Sequence, residues 1–451
     1  MRIMLNFNFN NDGSYPLLLF AILFFLKSLT LVGQNSENSL MVPFSGIVKD
    51  SENKLPIEYA HVYIQGSTTG TVTNSLGEFI IKVPAELSSN EISFSIVGYK
   101  SKSAQLTTGS NFSNEIFLTP SSYQLNEITV SADRFDSASY ILDEAIKFIK
   151  FNYPRKPHLM EGFFRELSLK DTIYTRLIEA AVRVQEVGYN KNTYDNNSLE
   201  MTKNRVKVIE LRKSDDFRDR DLLTSALNLL FGNRNELYMI LNANYVRVLG
   251  KKSHHFLSEK NIKKLDIEYS GRTEWEGQTV FIISLKNLNE QNFQWTEFNF
   301  YINKSDFAIV KIERRSIANP ARKDIKSGWL IDGKYFATSE TSYRKIGNKY
   351  FPVFIHAKHS PSDASPIVEE GGKTVKQYID LQFLLTNVYE DDYSRIRWRD
   401  TEDRNKDLYE SETPYNKEFW NSYNTVKLNP LKRDPKELEK NRSLKEQFHK
   451  N

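Results

Sequence analysis

The stretch GSTTGTVTNSLGEFIIKVP, residues 66–84, contains two short apolar runs separated by residues that favour turns. Asn74 and Gly77 supply the turn, because both residues tolerate a positive φ and an asparagine side chain can bond its own backbone. Beyond the turn, the two-residue period of a strand predicts that Phe79 and Ile81 point to one face and their neighbours to the other. The stretch carries no group suited to catalysis, so it predicts a fold and no activity.

Similar short runs continue from residue 43 to residue 120, and this spacing predicts a small antiparallel β-sandwich. The pattern SGIVKDSENKLPIEYAHVYIQGSTTGTVTNSLGEFIIKVP, followed by FSIVGYKSKSAQL, resembles the carboxypeptidase regulatory-like domain. That family is a transthyretin-like sandwich common in envelope proteins of Bacteroidota, and despite its name it is not a peptidase. The chain departs from the family at Asn74, where aspartate is more frequent.

The N-terminus indicates export. Residues 17–26 are an apolar run, and the small residue Gly33 follows before the sequence becomes polar. These features predict a signal peptide over residues 1–33. A retained membrane anchor is the alternative, but Lys27 ends the run after about ten residues, whereas a membrane span needs roughly 20. We therefore expect cleavage, and a mature chain in the periplasm or peripherally associated with the outer membrane.

Composition excludes several classes of protein. The chain has 451 residues, a net charge of +4 and no cysteine. A near-balanced total charge gives no electrostatic case for binding nucleic acid or an anionic membrane surface. Without cysteine there is no disulfide framework and no lipid attachment after the leader. The remainder contains no apolar stretch of membrane length, so no transmembrane span is expected in the mature chain.

The residues after the sandwich raise the question of a receptor. Residues 123–132, YQLNEITVSA, are similar to the segment that leads from this module into the plug and barrel of TonB-dependent receptors. The rest of the chain is too short for a plug and a large barrel. The resemblance therefore implies, at most, an accessory to such a receptor system.

The second part of the chain predicts an α+β domain over residues 135–425, after a linker at residues 121–134. Apolar residues at helical spacing predict a core-packing helix over residues 137–150. A hairpin is predicted to turn at residues 170–171. Alternating runs then predict a meander of about seven strands, with turns at residues 276–277, 303–306 and 347–348.

The segments GQTVFIISLKN and FNFYINKSDFAIVKIERR resemble a repeat of lipoprotein-carrier-like envelope proteins. In those proteins an open antiparallel half-barrel wraps a helical layer. The resemblance implies that the leucine-rich residues 222–230 fill the concave face. The alternative, an ordinary sheet whose helix completes the core, is favoured over a cavity that carries a ligand.

The sharpest candidate for catalysis is His158 with Glu161, an H-x-x-E pair of the kind that binds zinc in metallocarboxypeptidases. A zinc site needs a third ligand, and the surrounding sequence predicts a strand of an antiparallel sheet. We therefore interpret the pair as coincidental. Metal-dependent hydrolysis of a peptide-type substrate remains an alternative hypothesis.

The other histidine pairs are His254 with His255, and His356 with His359. The latter two are three residues apart in a predicted strand, so they face opposite sides and cannot share one ion. Both pairs are interpreted as surface histidines. The sequence predicts no catalytic, cofactor-binding or metal-binding residue, and the protein is expected not to be an enzyme.

Aromatic residues on the predicted hairpins suggest sugar stacking, which is disfavoured because most such rings pack in cores or cross-strand pairs. The rings considered are Tyr269, Trp275, Trp295 and Tyr301.

The C-terminal residues 426–451 predict a charged helix or tail. Asp434, Pro435 and Glu437 form its start signal, and its apolar residues are Leu438, Leu444 and Phe448.

Taken together, the patterns predict a mainly β protein in which a transthyretin-like β-sandwich precedes an antiparallel meander, able to form a half-barrel, with a few helices. The predicted function is a non-catalytic binding or assembly module of the cell envelope. Its predicted partner is an outer-membrane or periplasmic protein. Carriage of an apolar ligand or a glycan is the alternative.

Overall fold

The computed structural model describes residues 40–105, 114–121, 137–171, 173–189, 204–218, 235–252, 255, 257–288, 294–322, 335–359, 377–391, 393–429 and 438–450. The predicted signal peptide, residues 122–134 of the predicted linker, the leucine-rich residues 222–230 and the start signal at residues 434–437 lie outside these ranges. None of the helices that the structure describes combines the length and the apolar character needed to cross a membrane.

The N-terminal sandwich consists of two four-stranded sheets, in the strand orders β4-β1-β8-β6 and β3-β2-β5-β7. The strands are β1 (Met41–Asp50), β2 (His61–Ile64), β3 (Gly70–Val72), β4 (Glu78–Pro84), β5 (Glu91–Ser95), β6 (Tyr99–Lys100), β7 (Lys102–Gln105) and β8 (Asn114–Pro120). Apolar side chains from both sheets fill one core. The predicted alternation is confirmed, since Phe79 and Ile81 are buried there while Ile80 is exposed.

The turn before β4 forms as predicted. The Asn74 Oδ1 accepts hydrogen bonds from the backbone N–H groups of Leu76 and Glu78, at 3.0 and 2.9 Å. Gly77 has a φ of 70°. A Cβ atom at this position would lie 2.3 Å from the Val48 carbonyl oxygen, so only glycine fits.

One strand pair of the sandwich differs from the prediction. The first and last strands, β1 and β8, pair in parallel, from Gly46 with Asn114 to Asp50 with Leu118. The predicted antiparallel sandwich therefore contains one parallel pair. Sequence periodicity predicts which face of the sheet each side chain lies on. It does not predict whether two strands that are distant in sequence pair in parallel or antiparallel.

The second part of the chain is built on one ten-stranded antiparallel sheet, in the order β11-β10-β9-β18-β17-β16-β15-β14-β13-β12. Its strands are β9 (His158–Lys170), β10 (Ile173–Glu186), β11 (Arg205–Lys213), β12 (Asp266–Trp275), β13 (Gln278–Asn287), β14 (Gln294–Asn303), β15 (Ile309–Ala318), β16 (Tyr335–Ile346), β17 (Lys349–His359) and β18 (Gln377–Tyr389). Strands β12 to β18 form the predicted seven-stranded meander. The hairpin β9–β10 joins it by pairing β9 with β18.

In the part of the chain that the structure describes, five α-helices accompany the sheet. They are α1 (Ala138–Asn152), α2 (Glu236–Leu241), α3 (Glu259–Ile262), α4 (Lys417–Ser422) and α5 (Leu444–Lys450). The hydroxyl of Ser137 caps α1 by accepting from the Tyr140 N–H. The predicted helix is confirmed and runs to Asn152, two residues beyond the expected end.

The large sheet has two covered faces. The helix face packs against α1 and residues 235–262 in a continuous apolar core that includes Ile141, Ile149 and Leu237. The sandwich face packs against the N-terminal sandwich and residues 415–428. There, Phe163, Phe354 and Leu384 of the sheet meet Val72, Trp420 and Val426. The sandwich and the sheet belong to one compact unit that begins at Met41.

Candidate functional site

A row of directly opposed polar residues crosses all ten strands on the sandwich face. From β12 to β11, the row consists of Glu268, Ser284, Asn299, Glu313, Glu340, His356, Gln382, Arg165, Glu179 and Arg212. Polar groups beneath a covering layer must find hydrogen-bonding partners, or their burial is costly. We call these ten residues the polar row. The row has no signature in the sequence, because its members become neighbours only through the strand register.

Arg165 and Glu179 form the centre of one half of the row, and both side chains are buried. The Arg165 Nε donates to Glu179 Oε1 at 2.8 Å and its Nη1 donates to Gln382 at 3.1 Å. Arg212 donates to the other carboxylate oxygen of Glu179 at 2.6 Å. Burial alone would raise the pKa of Glu179, but the two arginines outweigh burial and lower it below its usual value.

Lys311 lies beside the other half of the polar row, the half that contains Glu313 and Glu340. Its Nζ lies 3.0 Å from a carboxylate oxygen of Glu313 and 3.0 Å from one of Glu340. Glu313 also accepts from the Tyr301 hydroxyl at 3.2 Å. Burial alone would lower the pKa of Lys311, but Glu340 and Glu313 raise it above its usual value. One ammonium thus holds two carboxylates on adjacent strands.

His356 lies in the middle of the row, where Tyr59 of the sandwich covers it. Its Nε2 is 3.0 Å from Asp380 Oδ1 and 3.2 Å from the Tyr59 hydroxyl oxygen. A catalytic relay would need the acid on one ring nitrogen and the nucleophile on the other. Here both partners share one nitrogen. Burial, followed by the charges of Asp380 and Glu58, raises the pKa of Tyr59 far above its usual value, which disfavours a phenolate nucleophile.

The sandwich contacts the large sheet through further side chains of β2. The His61 ring lies edge-on to Trp275 and to Phe354, with centroid distances of 5.6 and 6.2 Å. The Tyr63 hydroxyl donates to Glu276 at 2.8 Å, and the Arg344 guanidinium lies 3.9 Å from the Tyr63 ring centre. Aromatic packing and ionic contacts therefore act together at this interface.

Residues 415–429, which we call the C-terminal strap, bind both the sandwich and the sheet. The carbonyl oxygen of Val426 accepts from Arg165 at 2.6 Å. The side chain of Asn424 accepts from the Lys82 N–H at 2.8 Å and donates to the Lys82 carbonyl at 2.9 Å. It therefore occupies the open edge of β4. The Lys82 Nζ donates to the Trp420 and Tyr423 carbonyls at 2.9 and 2.8 Å. The strap thus fastens the sandwich to the polar row.

The candidate zinc pair is separated by the sheet itself. His158 is buried on the helix face beside Phe351, with ring centroids 5.5 Å apart. Burial lowers its pKa to about 4. Glu161 points to the sandwich face, where it pairs with Arg183 at 2.6 Å. In the described part of the chain, no cluster of three or more metal-ligating His, Asp or Glu side chains is present.

The remaining histidines are more buried than the sequence suggested. His356 is 9% exposed, and His359 bonds Glu236 of α2 at 2.9 Å. These partners confirm that the two histidines face opposite sides of β17. The interpretation as surface histidines was wrong, because the sandwich and α2 cover them. His255 is half-buried, and burial lowers its pKa to about 4. His254 lies outside the described residues.

The four aromatic rings considered for sugar stacking divide into two groups. Trp275 and Tyr301 are buried in the core, whereas Tyr269 and Trp295 are half-buried. Trp275 packs on His61 and Tyr301 bonds Glu313, so neither presents a free ring face.

The apolar residues predicted in the C-terminal tail form a small core with β9 and β10, in which Leu438, Leu444 and Phe448 meet Leu167, Leu169 and Leu177.

Comparisons with known proteins bear mainly on the sandwich. No curated protein matches this chain. Similar solved structures include a LolA superfamily protein from Nitrosomonas europaea, at 9% identity and a TM-score of 0.22, covering 57% of this chain and 95% of that one. A putative outer membrane lipoprotein-sorting protein domain from Vibrio parahaemolyticus has 6% identity and a TM-score of 0.23, covering 56% and 92%. A DUF1329 family protein from Desulfovibrio piger has 8% identity and a TM-score of 0.25, covering 57% and 95%.

Such low TM-scores carry no conclusion about fold or function. The family comparison is more direct, because it matches a defined segment that coincides with the observed sandwich. Residues 44–130 match the model of the CarboxypepD_reg-like domain, and the chain therefore carries a domain of this family.

Proposed function

We propose that this chain is a non-catalytic, exported protein of the cell envelope that binds or assembles with an outer-membrane or periplasmic protein. The observation that carries the proposal is the way in which the sandwich is fastened over the polar row. Tyr59 lies within hydrogen-bonding distance of His356, His61 packs on Trp275, and the C-terminal strap accepts a hydrogen bond from Arg165. Groups bonded in this way orient two structural parts against each other and are not available to a substrate.

The sandwich supplies the proposed surface for the protein partner. Leu55, Leu76 and Ile80 are 62%, 37% and 38% exposed, and we call them the sandwich patch. The turn that carries Leu76 lies beside Pro56, which follows Leu55, since a Cβ on Gly77 would lie 3.1 Å from the Pro56 Cβ. Ile80 is exposed four residues after Leu76, on β4. Exposed apolar side chains grouped on one part of a surface favour contact with another protein.

The experiment is a pull-down of the mature chain, starting near Gln34, from an envelope extract. Leu55→Arg and Ile80→Arg place a charge in the sandwich patch, and each is expected to reduce partner capture about tenfold or more. Leu288→Arg is the matched control, because Leu288 is 40% exposed and follows β13 on the large sheet. Equal capture by all three variants would contradict the proposed surface.

The same preparation separates the alternatives. Mass analysis of co-purifying lipid or glycan, without a protein partner, would favour carriage. Stoichiometric zinc, together with peptide hydrolysis that His158→Ala abolishes, would overturn the non-catalytic proposal. Recovery of the protein in the cytosol with Met1 intact would contradict export.

A further inference from the structure

One end of the ten-stranded sheet carries two exposed aromatic anchors. Because the sheet is antiparallel, every second turn lies at the same end of it. At this end are the turns β12–β13, β14–β15 and β16–β17. The first residues of β9 and β11 and the last residues of β10 and β18 also lie there. The C-terminal end of α1 joins this end, because the Asn152 side chain donates to the Asp306 carbonyl at 2.8 Å. We call this end the rim.

The first anchor is Phe151, which is 57% exposed at the end of α1. Its ring packs on Phe148, with centroids 5.7 Å apart, and Phe148 packs on Phe307 at 5.6 Å. Phe307 has a φ of 54°, a conformation that is rare for an aromatic residue. The β14–β15 turn is therefore held in a strained form that completes a cluster of three rings at the surface.

Lysines surround the first anchor. The Lys150 Nζ lies 4.8 Å from the Phe151 ring centre, and the Lys349 Nζ donates to the Phe151 carbonyl at 2.5 Å. Lys304 is exposed in the β14–β15 turn, and Lys345 is exposed near the end of β16. The Asp306 carboxylate accepts from the Tyr350 hydroxyl at 3.0 Å and keeps its negative charge. The four lysines outnumber it, so the charge around the ring cluster is positive.

The second anchor is Trp398, which is 77% exposed. The segment that carries it is fixed to the sheet, because Ile396 is buried and its N–H donates to Gln185 at 2.8 Å. Arg205 of β11 donates to the Ile396 carbonyl at 2.8 Å and stacks on the Trp398 ring at 5.6 Å. A large apolar ring is thus held rigidly in solvent, as expected of a binding anchor.

Cations also surround the second anchor. Arg397 and Arg399 flank Trp398 with side chains that are 64% and 73% exposed, and Lys207 is exposed on β11. Asp400 is the carboxylate among them, and the Arg397 Nε donates to it at 2.7 Å. Around this anchor, as around Phe151, more cations than anions face solvent.

Between the anchors the rim is mixed in charge. Arg155 and Lys156 are exposed just before β9, while Glu390 and Asp391 are exposed just after β18. The positive charge is therefore concentrated around the two aromatic anchors. The near-balanced charge of the whole chain conceals this distribution, which depends on strand order.

We propose that the rim docks on an anionic lipid surface, with Phe151 and Trp398 inserted at the level of the headgroups. The Trp398 segment is bonded to β10 and β11 and Phe151 to β17, so the anchors are separated by three or more strand spacings, roughly 15 Å. A small anion cannot reach both anchors, whereas a membrane contacts them together. Aromatic rings flanked by lysine and arginine suit the boundary between acyl chains and charged headgroups. Docking on lipid is proposed in addition to binding of the protein partner, and either proposal can fail while the other holds.

The test is flotation of the mature chain with vesicles. Vesicles of phosphatidylethanolamine and phosphatidylglycerol should carry the protein, and vesicles of phosphatidylcholine alone should not. Phe151→Ser and Trp398→Ser should each lower the bound fraction severalfold, and their combination should abolish binding. Lys150→Gln with Arg399→Gln should lower the partition coefficient about tenfold or more, because each cation near an anionic surface contributes about fivefold. Binding should also weaken with added salt.

Matched controls lie at the opposite end of the sheet. Leu288→Ser and Lys264→Gln change exposed residues next to the end of β13 and the start of β12, and both should bind vesicles as the wild type does. Circular dichroism of each variant verifies folding. Absent flotation, or flotation unaffected by both aromatic substitutions, overturns the proposal. Retention of an acidic protein through the same two anchors, without vesicle binding, overturns it in favour of a protein ligand. Partner capture through the sandwich patch is measured separately, so either result can fail alone.

Discussion

Arg165 joins three parts of the molecule through one guanidinium. It bonds Glu179 on β10, Gln382 on β18 and the Val426 carbonyl in the C-terminal strap. Arg165→Met would leave the buried Glu179 with Arg212 as its remaining arginine partner. We expect a loss of about 3–5 kcal/mol in the free energy of unfolding, measured in urea.

The double variant Arg165→Met with Glu179→Leu is the matched control. It removes both charges, so a large part of the lost stability should return. If the single substitution costs less than about 1 kcal/mol, the ionic contacts do not support the sandwich face as described.

His61 makes the interface between sandwich and sheet sensitive to acid. Burial, followed by the charges of Arg344 and Lys311, lowers its pKa from 6.5 to about 3. Below about pH 6.5 the imidazole of His61 therefore binds a proton in the unfolded chain, whereas in the folded chain it stays neutral until the pH approaches 3. Stability from this residue is complete above that pH and falls by about 1.4 kcal/mol per pH unit as the pH drops towards 3.

His61→Phe keeps an aromatic ring between Trp275 and Phe354 and removes the titration. Unfolding free energies of wild type and variant, measured between pH 4 and pH 7, should therefore diverge, with the variant less sensitive to acid. Carboxylates common to both proteins cancel in the comparison. Parallel curves would show that His61 accepts its proton without cost in the folded state.

Single residues also show how far the sequence could predict the site. Alternation alone placed Phe79 and Ile81 on one face of their strand, and His356 and His359 on opposite faces of another, because side chains alternate with a period of two. It could not place His356 beside Gln382 or Gln382 beside Arg165. Those neighbours depend on register between strands distant in sequence, which alternation does not fix.

At the scale of elements, the C-terminal strap makes an unexpected contribution. Trp420 of α4 is buried against the sandwich face, and Arg212 lies 4.3 Å from its ring centre. Trp420→Ala should cost about 3–5 kcal/mol of stability, as expected for an aromatic side chain removed from a core. Trp398→Ala is the matched control, since that ring is 77% exposed, and it should change stability by less than about 0.5 kcal/mol. Equal effects on the urea midpoint would contradict the position of the strap.

The sequence indicated this region only in part. For residues 426–451 the sequence predicted a charged helix or tail, and Leu438 and Phe448, which follow the strap, pack against Leu167 of β9. The turns of the meander were predicted because Glu276–Gly277 and Gly347–Asn348 are local signals. The position of the strap is set by contacts with residues that are distant in sequence. Asn424 meets Lys82 across most of the chain, and composition contains no signal for that contact.

At the scale of the whole molecule, the separate domains predicted at residues 43–120 and 135–425 raise a question of cooperativity. Their boundaries remain a prediction. The contacts of Tyr59, His61 and the strap give the sandwich and the sheet a shared apolar and ionic interface. Such an interface differs from the small polar contacts of domains that move independently.

We therefore expect the sandwich and the large sheet to unfold in one transition. All five tryptophans lie outside residues 41–121, so their fluorescence reports the large sheet and, through Trp275 and Trp420, its interface with the sandwich. Far-UV circular dichroism reports both parts. The two signals should change at the same urea concentration. Native-state hydrogen exchange is the stricter measurement, because the slowest amides of β5 in the sandwich and of β9 in the sheet should then open with the same free energy. Arg165→Met should lower both values equally. A sandwich that exchanges with a lower free energy than the sheet, or remains unaffected by that substitution, would show that it folds on its own and that the polar row does not couple the two parts.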